Sequence, residues 1–331
     1  MGDPFGVLKS TYPFTKAGPV QIDQNRVWEF AEGITPKALA DKQSAIRFNF
    51  PGWSVEDKVA LILIFNAINF SFWPERGKPI WTIQDAHGKI LDRSTAALWC
   101  LENFYQRQSY CPVDFSILRN LTGKEIEEIF KGRDGSELRM LEERFQCLHE
   151  LGENLPIDSR ENMERHLRDF WNQSAVNIVK NLTFLVPSFN DVVDIGEGYT
   201  VIFYKRAQLT ASMINQILVE EGSPLALPDI GELTVFADYR DPQILREERT
   251  LVYQKDLAEA VDNEEEIPPQ STAELCIRSA TVWVAEYIRR HLEGRFQTPI
   301  TAVQVDSFLW NRARELKDTM RPHHRTRTIY Y

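Results

Sequence analysis

Four short segments set charged or amide side chains beside aromatic ones in otherwise apolar surroundings. In Val305-Asp-Ser-Phe-Leu-Trp310, Asp306 and Trp310 stand four apart, so a helix carries them on one face. A carboxylate among Val305, Phe308 and Trp310 is either a satisfied core group or a reactive one with a perturbed pKa. In the run Asp229 to Gln243, Phe236 and Asp238 are two apart, with Tyr239 and Arg240 following and Pro242 limiting continuation. A carboxylate beside an aromatic face suits a flat heterocycle that offers N–H donors; the alternative is an Asp238–Arg240 surface pair, worth little. Tyr204-Lys-Arg-Ala-Gln208 enters a helix that runs to Gly222. There Lys205 and Arg206 oppose the helix dipole; a bound phosphate would relieve the conflict, as would simple solvation. Asn69-Phe-Ser-Phe-Trp73 closes an apolar helix, and Asn69 is either a C-terminal cap packed under Trp73 or part of a pocket floor with an aromatic wall. The tail Met320 to Tyr331 is basic and aromatic: from Trp310 onward six Lys/Arg stand against two Asp/Glu.

The elements that must position these residues read as helices. Ser54-Val-Glu-Asp57 is a capping box before the apolar run Val59 to Trp73, a helix apolar nearly all round and therefore expected in the core. Thr122-Gly-Lys-Glu125 and Ser271-Thr-Ala-Glu274 are further capping boxes, the second opening a long helix to about Leu292 closed by Gly294. Thr298 before Pro299 is read as the N-cap of a last helix, Ile300 through Lys317. Lys78 to Asp92, with Asp85-Ala-His-Gly88 as its turn, is the one β-hairpin expected. Nothing alternates β and α, and no phosphate-cradling glycine motif or nucleophile elbow occurs. Val261 to Gln270, acidic and proline-bearing, is read as a solvated loop between helices. With no internal repeat and no break in composition, residues 1–331 are read as a single mainly α domain.

Composition narrows the function classes. The 331 residues carry 38 basic and 48 acidic side chains, a net charge of −10, with 43% hydrophobic and 26% charged residues. Nineteen Phe, 10 Tyr and 8 Trp provide ample core and exclude general disorder. The negative field opposes binding of a polyanion, while leaving room for a local basic site for one phosphate. Cys100, Cys111, Cys147 and Cys276 form no C-x-x-C pair, and the six His are dispersed apart from His323-His324, so neither a metal nor another cofactor is expected. The N-terminal Met-Gly-Asp-Pro-Phe-Gly lacks a basic region followed by an apolar one, and the run Val59 to Trp73 falls short of a membrane span. Cytoplasmic residence with free thiols is the expectation.

Together NFSFW at 69–73, YKRAQ at 204–208, LTVFADYRDPQ at 233–243, VDSFLW at 305–310 and the terminal HHRTRTIYY resemble the queuosine salvage protein family, the queuosine 5'-phosphate N-glycosylase/hydrolases. The motifs extend from the first quarter of the chain to its last residue, and FADYR followed by PQ is the most specific. The resemblance implies a helical fold similar to the helix-hairpin-helix DNA glycosylases, and hydrolysis of queuosine 5'-monophosphate to queuine and ribose 5-phosphate for salvage into tRNA. The segment Asp229-Ile-Gly231 departs from the L-x-G-x-G hairpin with which DNA glycosylases grip a backbone, which with the net charge favours a free nucleotide over DNA or tRNA.

In that frame Asp238 is the candidate reader of the base's N1–H and exocyclic amine, with Phe236 stacking on the ring and Tyr239 beside it. Asp306 is the candidate catalytic carboxylate, stabilising an oxocarbenium-like sugar, with Trp310 shaping the pocket and Asn69 and Trp73 contributing floor and wall. Asp306 and Asp238 both match family motifs, so the assignment of catalysis between them is open. Lys205 and Arg206, helped by His324 and Arg325, are the candidates for the 5'-phosphate. A 7-deaza base lacks the ring nitrogen that purine glycosylases protonate, so the leaving group must be activated from elsewhere. Two other classes compete: a nucleic-acid base glycosylase, and a non-enzymatic helical module that binds queuine or a nucleoside.

Overall fold

The computed structural model describes residues 2–40 and 50–331; Met1 of the N-terminal stretch and residues 41–49 lie outside the described residues. The first helices are α1 (Val7–Thr11), α2 (Gln24–Gly33), α3 (Pro36–Ala40), α4 (Val55–Ala67) and α5 (Arg93–Gln108). There follow α6 (Ser116–Asn120), α7 (Gly123–Ile129), α8 (Leu141–Asn154), α9 (Arg160–Arg165) and α10 (Ala175–Leu185). The last third holds α11 (Lys205–Glu220), α12 (Arg240–Glu247), α13 (Lys255–Asp262), α14 (Thr272–Phe296) and α15 (Ala302–Glu315). The strands β1 (Val20–Ile22), β2 (Thr82–Gln84), β3 (Ile90–Asp92), β4 (Val192–Asp194), β5 (Thr200–Ile202) and β6 (Leu251–Tyr253) are three residues each.

Helix α4 is the core helix its composition demands. Every residue from Asp57 to Ala67 is buried, and Ser54 and Asp57 close the expected capping box, but the helix ends at Ala67, six residues short of the expected Trp73. It packs on α11, α8 and α5. The expected hairpin is the β2–β3 ribbon, turned by Asp85, whose carboxylate accepts from the N–H groups of His87 and Lys89, and by Gly88 at φ 81°. Two further antiparallel ribbons, β4–β5 and β1–β6, were not expected. The first is a short hairpin around Gly196 and Gly198, and the second joins segments more than 200 residues apart, which no local pattern announces. One contiguous apolar cluster runs from Phe5 to Ala313.

Several boundaries differ from those expected, each for a local reason. Ser271 caps α14 by accepting from Glu274 N–H, but the Glu274 carboxyl turns to Gln270 N–H and the Tyr331 hydroxyl, so the box is not reciprocal. Helix α14 runs through Gly294 and ends where Gln297 takes φ 52°. The cap of α15 is Thr301, boxed with Gln304, so Pro299 precedes the helix. Pro242 does not limit a helix; it sits in the first turn of α12, where its missing N–H costs nothing.

Candidate active site

The site begins with two buried arginines at the end of α4. The last carbonyls of a helix lack intrahelical donors and carry its negative dipole end, which suits a cation. Arg206 donates to the carbonyls of Asn66 (3.0 Å), Ala67 and Ser188. Arg144 donates to those of Ile68, Phe70 (2.5 Å) and Ser71 (3.3 Å). Burial pushes the Arg144 guanidinium down to about 9 and Arg206 also downward. The chain after α4 is thereby held open, and Asn69, whose amide donates to Asn66 Oδ1 at 3.1 Å, comes to line a cavity.

The opposite wall is locked to α11 and α14. Gln208 accepts from Thr234 N–H at 2.8 Å and donates to Thr234 Oγ1 at 2.9 Å, which pins the strand-like segment leading to Phe236. Arg278 of α14 forms a fully buried bidentate pair with Asp191 (3.0 and 2.5 Å) and donates to the Ala237 carbonyl at 3.2 Å. Asp191 in turn accepts from Lys205 N–H at 3.2 Å, so one ion pair fixes both the start of α11 and the Phe236–Asp238 segment. Phe236 N–H donates to Asp306 Oδ1 at 2.8 Å, tying that segment to α15. Asp238 Oδ1 accepts from the N–H groups of Arg240 (2.6 Å) and Asp241 (3.3 Å) and so caps α12. Its second oxygen has no hydrogen-bond partner among the described residues.

These elements enclose a cavity of about 350 Å³. Of the residues singled out from sequence, Asn69, Lys205, Phe236, Asp238, Tyr239, Asp306 and Trp310 all line it. Lys205 is 5% exposed; burial lowers its pKa, opposed by the carboxylates of Asp238, Asp306 and Asp241. Burial pushes the Asp306 carboxyl up to about 7, against the Phe236 N–H bond that favours its charged form. Asp241, 1% exposed, is raised well above the carboxylate range, by burial first and then by its two acidic neighbours. Arg93 lines this cavity, and Ser71 and Tyr204 adjoin the lining residues Phe70, Phe72 and Lys205 in sequence; the three hold φ of 50°, 42° and 51°, the kind of backbone strain that collects at functional sites.

Four expected site residues lie elsewhere. Arg206 is spent on the last two carbonyls of α4 and on that of Ser188, and the dipole end of α4 resolves the charge conflict without an anion. Trp73 packs behind the wall with Tyr239 and Tyr331, beneath the guanidinium of Arg139 at 3.8 Å. Arg325 pairs with Glu264 at 2.6 Å and lies 5.6 Å from the Trp73 ring. His324 is buried, which holds it down to about 3, so it is neutral near pH 7 and carries no charge for a phosphate. The tail reaches the cavity through Tyr331 instead, whose carbonyl accepts from Ser71 N–H at 2.9 Å.

The sequence reading passed over Asp241, Arg93, Arg314 and Lys317, all of which line the cavity. Two signals point to three of them, and none to Arg93. Asp241 follows Asp238 by three within the same motif, and Arg314 and Lys317 continue the Asp306–Trp310 stripe by four and seven residues beyond Trp310. Arg314 stacks 5.1 Å from the Trp310 ring, and among the described residues neither it nor Lys317 has an acidic partner. A larger groove of about 760 Å³ between α2 and α15 shares Arg314 and Lys317 with this cavity; its other charged groups include pairs such as Arg26 with Glu29 (2.7 Å), and it buries no acidic side chain.

The fold and the cavity define a helical protein that buries an acidic, aromatic-walled site sized for a small heterocycle. Residues 51–331 match the family described as queuosine salvage protein, and the chain belongs to that family. A protein of Sphaerobacter thermophilus named queuosine 5'-phosphate N-glycosylase/hydrolase is 35% identical over 349 residues, covering 100% of this chain and 99% of the relative. Proteins with the same name from Mus musculus (28% identical, 100% of each chain) and Dictyostelium discoideum (32% identical, 82% of this chain and 77% of the relative) are similar too.

Proposed function

We propose that this chain hydrolyses the N-glycosidic bond of queuosine 5'-monophosphate, releasing queuine and ribose 5-phosphate, and so returns queuine for use in tRNA. The observation that carries this is convergence: Phe236, Asp238, Lys205 and Asp306, drawn from three distant sequence motifs, meet in one cavity of about 350 Å³. That volume lies in the range of small-molecule sites, and its buried floor has no room for a duplex.

Phe236 supplies a ring face for the base, and the unpartnered oxygen of Asp238 accepts its N–H donors while the other oxygen keeps α12 capped. Asp306, ionised, stabilises the positive charge that builds at C1' as the bond to the base nitrogen breaks. The bonding pair leaves with the base; a water oxygen ends on C1' and one of its protons on the departing nitrogen. Lys205 neutralises part of the acidic wall and is the one buried cation there among the described residues able to assist the leaving base. The 5'-phosphate is held at the rim by Arg314, Lys317 and Arg93, not by Arg206, His324 or Arg325. The family membership supports the substrate class, and the buried free thiols of Cys100, Cys147 and Cys276 suit a cytoplasmic setting. No helix among the described residues is long and apolar enough to cross a membrane.

Incubation with queuosine 5'-monophosphate followed by chromatography tests the reading. Catalytic release of free queuine is expected. Stoichiometric binding without release would assign a binding module, and release only from tRNA would assign a polymer glycosylase.

A further inference from the structure

Among the described residues, three carboxylates, Asp238, Asp241 and Asp306, line one cavity in which the single buried cation is Lys205. Arg93, Arg240, Arg314 and Lys317 lie at the cavity's more open edge, so with all three carboxylates ionised the buried part of the cavity would hold three negative charges against one positive, which is costly. One carboxyl must therefore keep its proton, and the surroundings say which. Asp238 is only half-buried and takes both N–H donors at the start of α12, an arrangement that favours its charged form. Asp306 receives the Phe236 N–H. Asp241 receives neither: its Oδ1 is buried with no partner, although it stands in the first turn of a helix where an ionised carboxylate would ordinarily be welcome. A buried carboxylate oxygen without a donor is costly, whereas the same oxygen in a neutral acid is tolerable. The Asp241 side chain is also within hydrogen-bond reach of Asp306.

We propose that Asp241 is a positioning residue that donates a hydrogen bond from its carboxyl group to Asp306, and so fixes which carboxylate presents its charge to the sugar. Asp306 then holds two donors, the Phe236 N–H and the Asp241 O–H, which set both its orientation and its readiness to ionise. The charged groups around the pair are Asp238 and Arg240 at the start of α12, Lys205 from α11, Arg93 from α5, and Arg314 and Lys317 from α15 and the turn after it, together with the Phe236 N–H; Asp238 disfavours ionisation of Asp306, and Lys205 favours it. The inference rests on the assignment of Asp306 as the carboxylate that must be ionised for turnover.

The test is the pH profile of kcat/KM for Asp241→Asn and Asp241→Ala, with queuosine 5'-monophosphate as substrate. Asn retains a donor toward Asp306 and is expected to leave the acid limb in place. Ala removes the donor and is expected to move that limb upward by about one to two pH units, with activity recovering toward that of the Asn variant at high pH. An Ala profile whose limb does not move would overturn the proposal. So would an Asn limb that falls by more than about one unit, because that drop would mean Asp241 had been ionised. If the Ala variant does not fold, the Asn profile decides alone. Asp306→Asn measured beside them separates the two claims: full turnover there removes the role of Asp306, whereas an inactive Asp306→Asn with unshifted Asp241→Ala removes only the role of Asp241.

Discussion

Asp306 shows how one residue is tuned against its fold. Buried at 9% exposure, it is pushed up to about 7, chiefly by loss of solvation. The native chain therefore holds a proton between about pH 4 and pH 7 that the unfolded chain has released. The stability this group provides is present below that window and is lost as pH rises through about 7. Asp306→Asn keeps an acceptor for Phe236 N–H and abolishes the ionisation. Its melting temperature is expected to exceed that of the parent by a margin that grows from about pH 5 to about pH 8, as for active-site groups held at the expense of stability. A margin that shrinks over that range would contradict the burial argument. One oxygen of Asp238 holds the start of α12 and the other is proposed to read the base, and Asn separates the two. Asp238→Asn should hold α12 with one oxygen while weakening queuine binding on the order of 10-fold to 100-fold, because one charge-assisted acceptor is lost. Titration of queuine into the variant checks this, and unchanged affinity would remove Asp238 from base recognition.

At the scale of elements, the site hangs on how helix ends are satisfied. Arg206 and Arg144 occupy the C-terminal end of α4, so Arg206→Met should strand the carbonyls of Asn66, Ala67 and Ser188. A loss of roughly 3 kcal/mol or more is expected, the cost of leaving three buried carbonyls without their donor. Denaturant unfolding measures it. The accompanying loss of activity should be equal for the 5'-monophosphate and the unphosphorylated nucleoside; a loss confined to the phosphorylated substrate would return Arg206 to phosphate binding.

Why some of this was legible in the sequence follows from the range of the interactions. Capping boxes at Ser54–Asp57 and Thr122–Glu125, the start and burial of α4 and the Asp85–Gly88 turn are set by residues within a few positions, and they appear as read, whereas the end of α4 at Ala67 is set by the distant Arg144 and Arg206. So does the shared helix face of Asp306 and Trp310. The fate of Arg206 was not legible, because its partners lie 18 to 140 residues away. The position of its side chain beside another helix's negative end cannot be inferred from the dipole of its own helix. His324 is expected at the phosphate because it lies in a locally basic tail, whereas its burial, its contact with the Tyr331 ring and the nearby Arg278 charge, all distant or tertiary, hold it neutral.

For the whole molecule, the net charge of −10 and the basic rim at Arg314 and Lys317 act at different distances. The average field repels a polyanion, while the rim presents positive charge only within about a Debye length. Raising salt from about 50 to about 200 mM costs a protein with many phosphate contacts roughly 10³–10⁵ in affinity. Here kcat/KM for the mononucleotide should change only about twofold over the same interval, and excess tRNA should not inhibit. Inhibition by tRNA that disappears with added salt would contradict a free-nucleotide substrate.

Everything positioned by α4, α11, α12, α14 and α15 converges on one carboxylate over one cavity. The most direct measurement is single-turnover release of queuine from queuosine 5'-monophosphate by Asp306→Asn, with queuine affinity determined on the same preparation. A rate lower by ~10³-fold with affinity for queuine retained is the expected result. Near-parental release by a variant that still binds queuine would show that the reaction does not depend on Asp306.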